Sequence, residues 1–147
     1  MNITDSLVFM QQINKMHERM LKNICCEFEL TLLEAKIISF LHNNPTKDTA
    51  GDIVELRMLS KGNVSQAIDL LNKKELLSKT SDQIDRRKVH LTLLPKCHKI
   101  TEAIDGFQNS FSIRLFDGFT KEEIQVFTSF NKRLASNAAA VFEKGGF

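Results

Sequence analysis

The stretch "SDQIDRRKVHLTLL", residues 81–94, decides how this chain is read. Val89, Leu91 and Leu93 recur at every second position with Lys88, His90 and Thr92 between them, the pattern of a strand with one face buried. Ahead of that strand stands a tip carrying Asp85, Arg86, Arg87 and Lys88, which has nothing to bury. A basic, solvated tip on a rigid strand suits contact with phosphate.

The totals set the frame. With 147 residues, one domain is expected, long enough to bury an ordinary core without disulfides or metals. Hydrophobic residues make up 42% and charged residues 26%, as in a globular protein. Twenty basic residues against 18 acidic ones leave a net charge of +2, so any nucleic-acid surface must arise from local arrangement. Cys25, Cys26 and Cys97 are odd in number and two are adjacent, which is no disulfide framework. The start "MNITDSLVFMQQ" has no basic segment followed by an apolar run, and no stretch reaches the roughly 18 apolar residues of a membrane span. A cytoplasmic protein with no membrane partner is expected.

Working outward from the hairpin, "KGNVSQAIDLLNKKELL" before it reads as a helix capped by Ser60. Val64, Ala67, Ile68 and Leu71 form its apolar stripe, while Lys61, Asn63, Ser65, Gln66, Asp69 and Asn72 line the opposite face. A shorter helix, "AGDIVELRML", follows a cap at Thr49. Earlier, Thr31 with Glu34 forms a capping box for a helix that stops near "HNNPT". Residues Ser6–Phe28 repeat apolar side chains in steps of three and four, through Leu7, Met10, Ile13, Met16 or His17, Met20, Leu21, Ile24 and Phe28. After the hairpin, Pro95 can open a fifth helix through Ile100, Ile104, Phe107, Phe111 and Leu115. "FDGFT" breaks it, and Thr120 with Glu123 opens a sixth through Ile124, Phe127, Phe130, Leu134, Ala138 and Val141. The terminal helices are too apolar on one face to stand alone, so they either cover the middle or pair with another chain, and the second, a dimer interface, is expected of them. The fold class is mainly α: a winged helix-turn-helix with a two-stranded β wing and long N- and C-terminal dimerisation helices.

Two helices joined by a tight turn, the second polar on one face, place the start of that second helix against base edges in the major groove. Those residues are Ser60, Lys61, Gly62, Asn63, Ser65 and Gln66. Asn and Gln pair with adenine edges, and Lys and Ser suit bases or phosphates. Gly62 lets the positive end of the helix dipole approach a phosphate closely. A solvated helix face explains the same residues until the basic hairpin next to it is counted. Between Lys73 and Lys88, Lys73, Lys74, Lys79, Arg86, Arg87 and Lys88 stand against Glu75, Asp82 and Asp85.

The segment "DIVELRMLSKGNVSQAIDLLNKKELLSKTSDQIDRRKVHLTL" resembles the winged helix-turn-helix of MarR-type transcriptional regulators. The "SKGNVSQAIDLL" helix and the Asp-x-Arg wing motif at Asp85 and Arg87 carry the resemblance, and the flanking helices extend it over residues 1–147. It implies a single MarR-like domain, with the DNA-binding part at about residues 31–94 and dimerisation helices at about 5–29 and 95–143. It further implies a homodimer on a pseudo-palindromic double-stranded operator, most simply a repressor, with a small aromatic ligand as a common effector. Arg87 matches the wing arginine of the minor groove, Arg86 would touch phosphate, and Asp85 would orient an arginine. The chain departs from the family pattern at Gln66, where many relatives have arginine, at Glu75 in place of glycine, and at Leu94–Pro95 in place of a capping Thr.

Other chemistry is weaker. Cys25 and Cys26 would serve a redox-sensing regulator of the same fold, or fill space as small hydrophobes. His90, Cys97 and His98, with His17 or His42, match no zinc spacing. No Ser-His-Asp arrangement, phosphate-binding glycine loop or carboxylate pair is recognisable, so neither an enzyme nor a cofactor is expected. A helical adaptor dimer is the remaining alternative, and it has no use for a basic hairpin tip.

Overall fold

A computed structural model describes residues 2–57 and 59–145. Six helices and a hairpin follow in order: α1 (Ile3–Phe28), α2 (Leu32–Asn43), α3 (Ala50–Arg57), α4 (Lys61–Lys73), β1 (Leu77–Ser81), β2 (Val89–Leu93), α5 (His98–Leu115) and α6 (Lys121–Glu143). The chain divides into two compact units, Met1–Phe111 and Ser112–Phe147, the boundary falling inside α5.

In the first unit, local chemistry sets the helix starts. Asn2 accepts from the Thr4 N–H at 3.0 Å to cap α1. Thr31 and Glu34 exchange hydrogen bonds at 3.1 Å each, the expected capping box of α2. Thr49 and Asp52 do the same for α3 at 3.2 and 3.1 Å. Helix α3 was expected to run through "AGDIVELRML"; its described part ends at Arg57, Met58 lies outside the described residues, and Leu59 is no longer helical. The core gathers Leu21 and Ile24 of α1, Ala35, Ile37, Ile38, Phe40 and Leu41 of α2, Ile53 of α3 and Ile100, Ile104 and Phe107 of α5. Helix α4 buries Val64, Ala67, Ile68 and Leu71, the four residues of its sequence stripe.

The exit from α4 corrects the sequence reading. The helix was expected to include "KKELL" but stops at Lys73, because Glu75 turns left-handed at φ 59° and Leu77 begins β1. The Leu76 N–H reaches back to the Leu71 carbonyl at 3.0 Å and the Glu75 N–H to Asn72 at 3.1 Å, the two bonds of a Schellman motif. Glutamate thus occupies the position glycine usually takes, at a cost of about 1 kcal/mol. Helix α1 ends the same way: Glu29 has φ 54°, and the Leu30 N–H bonds the Cys25 carbonyl at 3.0 Å. Leu30 and Leu76, the residues after these turns, are both buried.

Strands β1 and β2 pair antiparallel, with Leu77 opposite Leu93 and Ser81 opposite Val89. Leu91 is buried, Val89 and Leu93 are half-buried, and Thr92 faces solvent. Thr49 adds an isolated antiparallel bridge to His90, and the Leu91 N–H donates to the Asp48 carbonyl at 2.8 Å. The fifth helix begins later than expected: Pro95–Cys97 forms one 3-10 turn with no side-chain cap at Leu94, and α5 proper starts at His98.

In the second unit, Thr120 and Glu123 close the expected capping box on α6. Phe116 packs edge-on against Phe119 and Phe127, with ring centroids 6.0 and 5.5 Å apart. No residue of α6 is buried, and Phe130 and Leu134 remain 54% and 63% exposed.

Candidate nucleic-acid interface

Every residue singled out at the start of α4 reaches solvent. Ser60, Lys61, Gly62, Asn63, Ser65 and Gln66 are all exposed, around the buried Val64. The Ser60 hydroxyl accepts from the Asn63 N–H at 3.5 Å, and no acid stands in the first turn to compete with an incoming phosphate. A Cβ placed on Gly62 would meet nothing within 4 Å, so packing inside this protein does not require glycine there.

The wing loop is ordered by two aspartates. Asp82 Oδ1 accepts from the Ile84 N–H at 2.7 Å and the Asp85 N–H at 3.1 Å. Asp85 Oδ1 accepts from both the backbone N–H and Nε of Arg87, at 3.1 and 3.3 Å. The Lys88 N–H returns to the Asp85 carbonyl at 3.0 Å, closing a turn with Arg86 and Arg87 at its apex. The Arg87 side chain is 93% exposed, so its Nη donors point to solvent while Nε is held. Ile84 is 97% exposed beside it, a feature the sequence reading passed over.

Not all of the local basic charge is available outward. Lys79 pairs with Asp69 of α4 at 2.6 Å, tying the wing to the helix. Lys74 pairs at 2.8 Å with Glu34, whose side chain is 1% exposed, and also donates to the Glu29 carbonyl at 3.2 Å. Burial pushes the Glu34 carboxyl up, but the Lys74 ammonium and the Thr31 groups outweigh it and hold the pKa below its ordinary value. Lys74 therefore fastens the ends of α1 and α4 to the start of α2, a role visible only in three dimensions.

His90 has a structural role that periodicity did not reveal. Its Nδ1 lies 2.8 Å from Asp48 Oδ1 and its Nε2 lies 2.9 Å from Asp82 Oδ2. Of the other histidines, His17 packs edge-on against Phe107 and Phe111, with centroids 5.1 and 5.5 Å away. It borders a cavity of about 160 Å³ with Lys36, Phe40, Asn44, Arg57 and Gln108. Burial, then Arg57 and Lys36, hold the His17 pKa below its ordinary value. His42 pairs with Asp105 at 2.8 Å and His98 with Glu102 at 3.2 Å. Among the described residues no three His, Cys, Asp or Glu side chains gather as metal ligands. Burial raises the Cys25 thiol and takes buried Cys97 to about 11, which disfavours a reactive thiolate at either. No described helix is long and apolar enough to cross a membrane.

Comparison with known proteins matches this geometry. The MarR family model matches residues 28–88. Over 79 residues the chain is 30% identical to the uncharacterized HTH-type transcriptional regulator YsmB of Bacillus subtilis (strain 168), covering 54% of each. The matched region thus spans about half the length of that curated relative. A MarR-family protein from Listeria monocytogenes, solved with 26mer DNA, superposes with a TM-score of 0.79 at 19% identity, over 96% of this chain and 95% of that one. BpsR of Bordetella bronchiseptica, described with regulation of its DNA binding by 6-hydroxynicotinic acid, gives 0.68 at 19% identity, over 89% and 98%. At such identities the solved structures speak to the fold, and the family model speaks to the sequence. The chain thus carries the sequence pattern of the MarR family in residues 28–88 and shares the fold of MarR-family structures along most of its length.

Proposed function

We propose that this protein is a DNA-binding transcriptional repressor that acts as a homodimer on a pseudo-palindromic duplex. The observation that carries this reading is the pairing, in one compact unit, of an exposed polar start to α4 with an ordered, outward-facing Arg87. Lys61, Asn63, Ser65 and Gln66 would read base edges, with Ser60 and Gly62 at the close approach to phosphate. Arg87, oriented by Asp85, would enter the minor groove, and Arg86 and Lys88 would take phosphates. Repression follows from occupying a promoter that the transcription machinery needs, which puts the work in the cytoplasm.

A second copy is the natural cover for α6. A helix of 23 residues with none buried draws little support from tertiary packing, the usual source of helix stability in a protein. Moving exposed Phe130, Leu134 and their neighbours into an interface gains roughly 1.5–3 kcal/mol per fully buried side chain. The exposed Ile3, Leu7 and Met10 of α1 fit the same role. The cavity at Arg57 and Lys36 offers cationic groups beside the rings of Phe40 and His17, and an aromatic acid there would supply the effector control described for BpsR.

The test is direct. The full chain should bind a random-sequence duplex with an affinity that falls linearly in the logarithm of salt, and should scatter light as a dimer. Salt-independent behaviour would favour a helical adaptor instead, and a monomer mass would remove two-headed binding.

A further inference from the structure

His90 holds one carboxylate on each ring nitrogen, Asp48 at 2.8 Å and Asp82 at 2.9 Å. A neutral imidazole has one N–H and one lone pair, so it can serve only one of them; imidazolium donates to both. Asp48 comes from the loop ahead of α3 and Asp82 from the loop after β1. The residues paired with His90 on neighbouring backbone, Thr80 and Thr49, carry no charge, so among the described residues these two carboxylates are the charged groups that face it. Asp82 does double duty. While Oδ2 holds the ring, Oδ1 holds the N–H groups of Ile84 and Asp85, and Asp85 in turn orients Arg87.

We infer that His90 is a positioning residue for the wing: its doubly donating ring pins Asp82 to Asp48, and loss of its proton loosens the loop that presents Arg87 and weakens duplex binding. This rests on the DNA-binding reading above. The sign follows from linkage. The bond to Asp82, then that to Asp48, raises the His90 pKa above its ordinary 6.5. Asp82 is correspondingly held below the usual carboxylate range, by His90 first and then by the N–H groups of Asp85 and Ile84. The clamp is therefore complete below about pH 6.5 and is lost as pH rises through the raised value. Both partners are partly exposed, so the effect on affinity should be about two- to fivefold, the size of one solvated charge-assisted contact.

The experiment titrates the full chain with an A·T-rich duplex across neutral to alkaline pH at fixed salt, alongside an NMR titration of the His90 ring without DNA. Affinity should fall by that factor with the midpoint of the ring titration. His90→Gln should sit near the alkaline value throughout and lose the step. Asp82→Asn keeps an oxygen for the Ile84 and Asp85 N–H groups and should move both midpoints down together. Parallel profiles for the wild type and His90→Gln would overturn the inference, as would a ring that titrates while affinity stays constant. Absence of duplex binding at every pH would overturn the DNA-binding reading itself, and this inference with it.

Discussion

Replacing Arg87 with alanine isolates the wing from the fold. The side chain is 93% exposed and its partner Asp85 lies 3.3 Å from Nε in solvent, so stability should change by less than about 0.5 kcal/mol. Its effect on DNA is larger. A cation seated in the groove displaces condensed counterions much as one on a phosphate does, about 0.9 per charge, worth about 1 kcal/mol at about 0.15 M salt. The proposed dimer would lose two such contacts, so affinity for random duplex should drop by about 2 kcal/mol, roughly thirtyfold, and the salt slope should fall by about two. The loss should be greater on narrow A·T-rich grooves, where the potential an arginine meets is more negative. Fluorescence anisotropy at several salt concentrations reads both quantities. Arg87→Lys should recover the slope but not the A·T preference, since a lysine lacks the planar fork. Ile84→Ala removes only apolar surface from the same tip and should leave the slope alone. An Arg87→Ala protein with wild-type affinity and wild-type slope would refute the wing's role.

Asn63→Ala should lower affinity for a preferred site by ~1–3 kcal/mol while sparing random duplex, whereas Lys88→Ala should weaken both and reduce the slope, as paired titrations will read. Gly62→Ala meets no obstacle inside the protein, so thermal stability should hold or rise slightly while duplex affinity falls, if phosphate approaches there. Glu75→Gly relieves a left-handed backbone and should stabilise the fold by roughly 0.5–1 kcal/mol in urea unfolding; a destabilised variant would contradict the strain at φ 59°. Lys74→Ala strands the buried Glu34 carboxylate and should cost about 2–4 kcal/mol, less than a fully buried pair because the lysine is 40% exposed. In the wild type, the depressed Glu34 pKa means this contribution is present at neutral pH and is lost as acid titration passes through the folded value.

What was legible in the sequence was local. The Thr31–Glu34 and Thr120–Glu123 boxes lie within single turns, and the Val64 to Leu71 stripe is a helical period, so the residues themselves dictate them. The alternation from Val89 to Leu93 fixed which side of β2 meets the core. The end of α4 is not legible locally, because lysine, glutamate and leucine are good helix formers, and only tertiary burial of Leu76 and pairing of Leu77 make Glu75 turn left-handed. The His90 clamp escaped notice because its partners lie 42 and 8 residues away, and the Glu34–Lys74 pair because it spans 40. Such contacts leave no periodic trace. Among the candidate interface residues, those on α4 and the wing tip were read from residue type and spacing, and all but Asp85, which is partly buried, stand exposed.

The central claim is that two reading heads grip one duplex and recognise its sequence. Selection of bound sites from a random duplex pool, using the full chain, tests it most directly. The account predicts enrichment of a pseudo-palindrome whose half-sites lie about one helical turn, roughly 10 base pairs, apart. Recovery of a pool as random as the input, or of a single half-site without its inverted mate, would contradict it.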